Sequence, residues 1–339
     1  MSEIGKLKLA LFRDKLDSII KLCQGEKEYD EMYPISVELS LTNDCNLKCA
    51  WCCDTTVRQK HPGHADKEIL FDLFRDLQDG GTKGITIEGG GEPTMHPDFE
   101  EIIKKIRDHN MAVGLFTNGV QHEKVLSNID SFEWVRVSLD ADNPNTFKEH
   151  KGFDGFEIVM KNIERLAEKK GNVVLGVGYV ATRYTMGNIE DVIERLRDMG
   201  VNYFYIRPVE DNPEYSSRND MEWLKQYSTN DFEVIVNYYG RVKGGNANLP
   251  CMCHSISVVI TADASVYMCG RLHIHPDHKP VGNLKNQSFN EIWNNKNRIL
   301  QTKTLTEIDF TKKNCPVCRI TKYNEFVDEI VRTKTINFI

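Results

Sequence analysis

The chain has 339 residues, 40% of them hydrophobic and 27% charged, which is enough to bury a sizeable core but too few for more than about two or three domains. A formal net charge of −7, with no Lys/Arg run, excludes a surface built to track phosphates, so no nucleic-acid partner is expected. The opening stretch MSEIGKLKLALFRDKLDSIIKLC alternates charged with apolar side chains; neither a signal peptide nor a membrane span is expected, and the predicted location is cytoplasmic.

In chain order, Leu9, Phe12, Leu16, Ile19, Ile20 and Cys23 fall at helical spacing and predict an amphipathic helix over 5–23, with Cys23 packed in its apolar face. From residue 35 onward, strand-like runs at 36–41, 84–89, 112–118, 133–140, 172–180 and 202–209 alternate with helical patterns near 67–80, 97–110, 121–129, 155–170, 187–199 and 218–242. Strands separated by helices must run parallel, so the expected class is α/β, with the sheet either doubly wound or curled into a partial barrel. Ligands of such sheets gather at the C-terminal ends of the strands. Glu88, Asn118, Asp140, Tyr179, Arg183, Arg207 and Glu210 stand there, and Arg183 and Arg207 would suit an anionic group of a substrate.

After about residue 245 the alternation stops at GGNAN, and a hairpin, SVVITADASVYMC, turns near Asp263. The expected organisation is therefore an N-terminal helical segment (1–34), a barrel (35–245) and a smaller module (246–339).

Ten cysteines in a reducing compartment point to metal or redox chemistry rather than disulfides. The first strand is followed by LTNDCNLKCAWCC, giving Cys45-x3-Cys49-x2-Cys52. Three thiolates on one tight loop can hold three irons of a [4Fe–4S] cluster and leave the fourth open, whereas structural zinc and closed clusters want four ligands. Cys53 is read as a packed neighbour.

This cysteine spacing resembles the radical S-adenosylmethionine (SAM) superfamily, in which SAM chelates the open iron. Trp51 stands where that family carries an aromatic, and Gly90-Gly91-Glu92-Pro93 resembles its GGEP element, whose backbone and glutamate meet the SAM amino group. Asn118, in Thr117-Asn118-Gly119, and Ser138 and Asp140, in Ser138-Leu139-Asp140, close strands where the family binds SAM. The resemblance implies a partial (β/α)6 TIM-like barrel, SAM and a three-cysteine [4Fe–4S] cluster as cofactors, a flavodoxin- or ferredoxin-type reductant, and a 5′-deoxyadenosyl radical that takes hydrogen from a substrate.

The second module places Cys251 and Cys253 before the hairpin, Cys269 at its end, VGNLKNQSFNEIW after it, and then Cys315 and Cys318. This is similar to the SPASM or shorter twitch domain, a β-hairpin plus helix that holds auxiliary iron–sulfur clusters. Ala264 occupies the position where the family's hairpin has glycine, a substitution expected to be tolerated at negative φ. The resemblance implies one auxiliary [4Fe–4S] cluster on Cys251, Cys269, Cys315 and Cys318; zinc is the alternative for these four. Cys253 is left as a spare thiol, either buried or able to donate hydrogen, and His273, His275 and His278 are read as solvated loop residues.

A closed cluster beside the substrate suits oxidation (dehydrogenation), and a spare thiol suits epimerisation. The expected substrate is a small molecule or carbohydrate, because the residues before the first strand are too few for a leader-binding domain. The alternatives are a peptide-modifying maturase within the superfamily and, from another class, an iron–sulfur electron carrier or a zinc-binding interaction protein.

Overall fold

In the run SVEL, Val37 and Leu39 are fully buried, while Ser36 and Glu38 face the other way and are half-buried. This period-2 alternation gives the strand one face for a helical layer and one for an interior lined by polar groups. The computed structural model describes residues 7–209, 221–237, 249–270, 272–274, 278–315 and 318–333. Its first part runs α1 (Arg13–Cys23), β1 (Ser36–Leu39), α2 (Thr55–Lys60), α3 (Lys67–Asp79), β2 (Gly84–Ile87), α4 (Phe99–Asp108), β3 (Ala112–Thr117), α5 (Glu123–Ser127), β4 (Trp134–Ser138), α6 (Pro144–Lys151), α7 (Phe156–Lys169), β5 (Val174–Ala181), α8 (Ile189–Asp198), β6 (Tyr203–Pro208) and β7 (Glu233–Val236).

Strands β1 to β7 pair in sequence order and in parallel, forming the partial barrel. Their outward side chains, among them Ile85, Leu115, Val137 and Val177, pack on Phe74 of α3, Ile102 and Ile106 of α4, Ile163 of α7 and Ile193 of α8 in one core. Burying each such side chain contributes about 1.5–3 kcal/mol.

The expected helix over 218–242 is corrected by the structure. Its described parts are a 3-10 turn, Glu222–Tyr227, and strand β7, because the β-branched run Val234-Ile235-Val236 pairs with the edge of β6. Glu210 and the GGNAN break lie outside the described residues.

The second part comprises β8 (Ser257–Ile260), β9 (Ser265–Tyr267), β10 (Gly282–Asn283), α9 (Phe289–Trp293), α10 (Lys296–Leu305), α11 (Ile308–Asn314) and α12 (Thr321–Arg332). Strand β8 pairs in parallel with β1, so the hairpin extends the barrel's own sheet. The turn departs from the expected negative φ. Ala264 sits at φ 69°, in the left-handed region, held by its N–H to Thr261 O (2.8 Å) and by Thr261 N–H to Ser265 O (3.0 Å). The hairpin geometry therefore wants glycine, and alanine is strained there.

The N-terminal helix docks on this second part. Leu9 and Ile19 share a cluster with Met252, Cys253, Ile256 and Val327, and Cys23 packs against it. Beside that cluster Asp30, fully buried, pairs with Lys15 (2.5 Å) and accepts from Ser18 (2.8 Å) and Ser255 (2.6 Å).

Candidate active site

The loop from β1 to α2 carries Cys45, Cys49 and Cys52 and is stitched on three sides. Gly91 N–H donates to Thr42 O (2.7 Å) and Glu92 N–H to Asp44 O (2.8 Å), tying it to the segment after β2. Lys48 and Ala50 N–H donate to the carbonyls of Lys151 and His150 (2.9 Å each), tying it to the end of α6. Asn118 Nδ2 donates to Asn46 Oδ1 (2.6 Å) and lies 4.0 Å from Cys45 Sγ. The glycines are required by this approach: a Cβ on Gly91 would overlap the Asp44 carbonyl, and one on Gly90, whose φ is 52°, would overlap Asn43. They form a cradle that backbone alone can line.

Burial pushes the Cys49 thiol up to about 11, opposed by Lys151 and reinforced by Asp140, Cys52 and Cys45. The Cys45 thiol is raised as well, by burial first. Three soft sulfur donors in mutual electrostatic reach on one loop suit an iron–sulfur cluster, whose assembly requires the thiols to lose their protons.

The carboxylate of Glu92 faces inward, and the side chain is only 2% exposed. Oε1 accepts from Thr117 Oγ1 (2.7 Å), Thr94 Oγ1 (2.8 Å) and Thr94 N–H (3.3 Å), and Oε2 accepts from Asn118 N–H (2.7 Å). This carboxylate ties the cradle to the end of β3. Asp140 is similar. Its Oδ1 accepts from Val180 N–H (2.7 Å) and its Oδ2 pairs with Lys151 (2.5 Å), whose ammonium also donates to Ser138 O (3.3 Å). Pro93 opens a buried 3-10 turn below the cradle, and the Trp51 ring meets His150 edge-on at 4.9 Å.

Inside the barrel the structure assembles groups that the sequence reading passed over. Glu38 and Glu88 share the guanidinium of Arg319, at 3.2 and 3.5 Å. Burial and the neighbouring Glu88 push Glu38 well above the usual carboxylate range, with Arg319 opposing. Burial works against the Arg319 charge, but Glu88 and Glu38 outweigh it. One cation thus stands between two acids. The side chains of Glu38 and Glu88 are 24% and 20% exposed, so neither is sealed in the apolar core.

Deeper, Arg136 stacks between Phe116 and Tyr205 (5.0 and 4.4 Å) and donates to Tyr203 Oη (2.9 Å). Arg207 faces the same interior, where burial lowers its pKa and Asp140 opposes. Arg183 lies on the exposed rim, over the Tyr184 ring at 5.2 Å. Tyr179 is a core residue whose hydroxyl donates to Thr185 O (2.5 Å). Cys53 exposes part of its surface, but burial of its thiol, with Asp54 beside it at 3.4 Å, pushes it up to about 12.

In the second module, Cys251 feels Cys318, Cys269 and Cys315 as well as Cys253, and burial raises its thiol first. Cys253 neighbours Cys23, Cys318 and Lys15, is fully buried, and receives no access to the barrel cavity. The thiol lies in the cluster of Leu9, Ile19, Met252 and Val327, a setting that suits a packed cysteine. Among the described residues, no three Cys, His, Asp or Glu side chains lie close enough together to hold a single metal ion. His273 bonds Asp54 (3.1 Å), joining the second module to the cysteine loop instead of standing in solvent; His275 lies outside the described residues. No described helix is long and apolar enough to cross a membrane.

Two family profiles match: the radical SAM superfamily over residues 39–196 and an iron–sulfur cluster-binding domain, SPASM, over 251–320. A probable GTP 3′,8-cyclase of Methanococcus maripaludis is 30% identical over 168 residues, 49% of this chain and 56% of that protein. The chain thus spans little more than half the length of that relative. Mycofactocin maturase MftC of Mycobacterium tuberculosis is 26% identical over 288 residues, 77% of this chain and 71% of that one. Among solved structures, Streptococcus suis SuiB bound to SAM superposes with a TM-score of 0.64 at 14% identity, covering 89% of this chain and 75% of that one, which bears on the fold alone. The chain belongs to the radical SAM superfamily, with SAM and a [4Fe–4S] cluster as cofactors and an iron–sulfur cluster-binding SPASM domain at its C-terminal end.

Proposed function

We propose that this enzyme is a radical SAM maturase that oxidatively modifies a peptide. The observation that carries the reading is the extent of the MftC match, 288 residues and 77% of the chain, against 227 residues and 59% for a probable GTP 3′,8-cyclase of Methanocaldococcus jannaschii. This supports a peptide substrate over the small molecule or carbohydrate favoured by the sequence alone. An oxidative outcome is supported by the Glu38–Glu88 pair, carboxylates able to accept a proton, and by the burial of Cys253, which disfavours it as a hydrogen-returning thiol.

Cys45, Cys49 and Cys52 are assigned to the first cluster, and Cys251, Cys269, Cys315 and Cys318 to one auxiliary cluster. The backbone of Gly90, Gly91 and Pro93, with Trp51, Asn118 and Ser138, is assigned to SAM, and Glu92 and Asp140 hold that surface in place. Held by Cys45, Cys49 and Cys52, the first cluster would supply, once reduced by a flavodoxin- or ferredoxin-type partner, the electron for reductive cleavage of SAM. The chain's own contribution is to fix the substrate carbon near the bond so cleaved, exclude water and accept a proton at the glutamate pair, while the auxiliary cluster held by Cys251, Cys269, Cys315 and Cys318 would take the electron that the substrate radical gives up. Arg207 and Arg183 are assigned to the substrate, the first within the cavity and the second at its rim.

The test is 5′-deoxyadenosine formation with peptides encoded near the gene, compared with GTP and sugar alcohols. Stimulation by a peptide that loses two hydrogens supports the reading; stimulation confined to non-peptides contradicts it.

A further inference from the structure

The inner face of the sheet carries an arginine that cluster ligation, the SAM surface and the glutamate pair leave without a role. In β4, Val135 and Val137 are fully buried against the helices, so Arg136 between them projects to the inner side, where it is half-buried. Glycines make room for it. A Cβ on Gly178 of β5 would stand 3.1 Å from Arg136 Cδ, one on Gly176 would overlap the Tyr203 ring at 2.0 Å, and one on Gly114 of β3 would overlap the Trp134 ring at 2.2 Å. Bare backbone at these positions lets the long side chains of β4 and β6 lie along the sheet.

The guanidinium is held among rings. Its carbon lies 5.0 Å from the Phe116 centroid, 5.1 Å from that of Tyr203 and 4.4 Å from that of Tyr205, and Nε donates to Tyr203 Oη (2.9 Å). Tyr205 Oη accepts in turn from Asn237 Nδ2, just past β7. Ring faces and one neutral hydrogen bond support a cation without neutralising it. The inner carboxylates are committed elsewhere, Glu38 and Glu88 to Arg319 and Asp140 to Lys151. Both terminal nitrogens of Arg136 lack a hydrogen-bond partner among the described residues, and the side chain is half-buried rather than sealed. For packing alone this arrangement is costly, because a partly desolvated charge without a counter-charge gains less than an apolar side chain of the same size. For binding it is suited: the two open N–H edges form a planar fork that matches the two oxygens of a carboxylate, and the rings and Tyr203 fix its plane in advance.

We propose that Arg136 is a substrate-binding residue whose open fork, set in the Phe116–Tyr203–Tyr205 box, takes a carboxylate of the substrate on the inner wall of the barrel. The site requires a carboxylate and nothing else of the substrate, so it stands or falls separately from the maturase reading. Within that reading the carboxylate belongs to the chain terminus or to an acidic side chain of the peptide.

Isothermal titration calorimetry on the anaerobically reconstituted full chain with SAM tests it, using two acid–amide pairs. N-acetylphenylalanine and its amide probe a chain-terminal carboxylate; N-acetylglutamate α-methylamide and N-acetylglutamine α-methylamide probe a side-chain one. The parent is expected to bind at least one acid about tenfold more tightly than its amide, as a charge-assisted two-point contact requires, and the pair showing the preference identifies the source. Arg136→Met is expected to abolish the preference. Arg136→Lys keeps the charge and the methylene packing but loses the fork, so the preference should fall to about threefold or less, and this variant decides the matter if Arg136→Met does not fold. No preference in either pair, or one that survives Arg136→Met or Arg136→Lys in full, overturns the proposal.

Discussion

Replacing Glu92 with glutamine separates a carboxylate that binds SAM from one that holds the SAM surface together. Each carboxylate oxygen receives a backbone N–H, Oε1 from Thr94 (3.3 Å) and Oε2 from Asn118 (2.7 Å). Whichever way the new amide turns, its NH2 group faces one of them, and a buried N–H loses its acceptor. That costs about 1–3 kcal/mol, and weaker bonds from Thr94 and Thr117 to a neutral amide bring the total to about 2–3 kcal/mol. With an unfolding entropy of about 2.1 cal/mol/K per residue, a chain of this length loses about 3–4 °C in Tm. The assay is thermal unfolding of the protein free of SAM, followed by SAM titration of the reconstituted enzyme. A lower Tm without SAM, together with weaker SAM binding, is expected. An unchanged Tm with only SAM affinity reduced would refute the reasoning, because it would mean that the carboxylate contacts SAM itself.

Ala264→Gly relieves a left-handed alanine and should stabilise the protein by about 0.5–1 kcal/mol in urea unfolding, after the greater freedom of glycine in the unfolded chain is offset. A loss of stability would mean that the turn is not strained. Glu38 has a raised folded pKa, so the stability it contributes is complete below its ordinary value of 4.5 and is lost as pH rises through the folded value. Glu38→Gln should therefore gain on the parent in Tm as pH rises above 4.5, and parallel curves would remove the raised Glu38 pKa from the account. Cys253→Ala should lower stability by about 1–2 kcal/mol while leaving 5′-deoxyadenosine and product formation intact; loss of product with SAM cleavage preserved would restore a catalytic thiol.

The barrel was legible because its signals are local. Runs such as GITI and AVGLFT sit between amphipathic helices, and the strands fall within a few residues of expectation. Helix α6 was missed because PNTFKEHK buries only Phe147, His150 and Lys151 and shows little apolar periodicity, although Asn143 caps it fully. The 218–242 stretch was misassigned because VIV reads as either a helix or a strand until an open sheet edge is available.

The cysteine loop and the cradle were readable because their spacing is fixed by chemistry. Lys151 and the Glu38–Glu88–Arg319 group were not, since they meet only through tertiary structure. One hint was present: a charged residue at the centre of SVEL, between two buried apolar ones, has to face whatever the barrel encloses. The role of Cys253 also depended on tertiary packing, because only the docking of α1 covers it.

The measurement that bears most directly on the central claim is iron content together with dithionite-driven 5′-deoxyadenosine release, comparing the anaerobically reconstituted chain with Cys49→Ala and Cys315→Ala. The account predicts about eight irons per chain for two [4Fe–4S] sites, no deoxyadenosine from Cys49→Ala, and SAM cleavage without product from Cys315→Ala. Full deoxyadenosine release by a freshly reconstituted Cys49→Ala protein would contradict it.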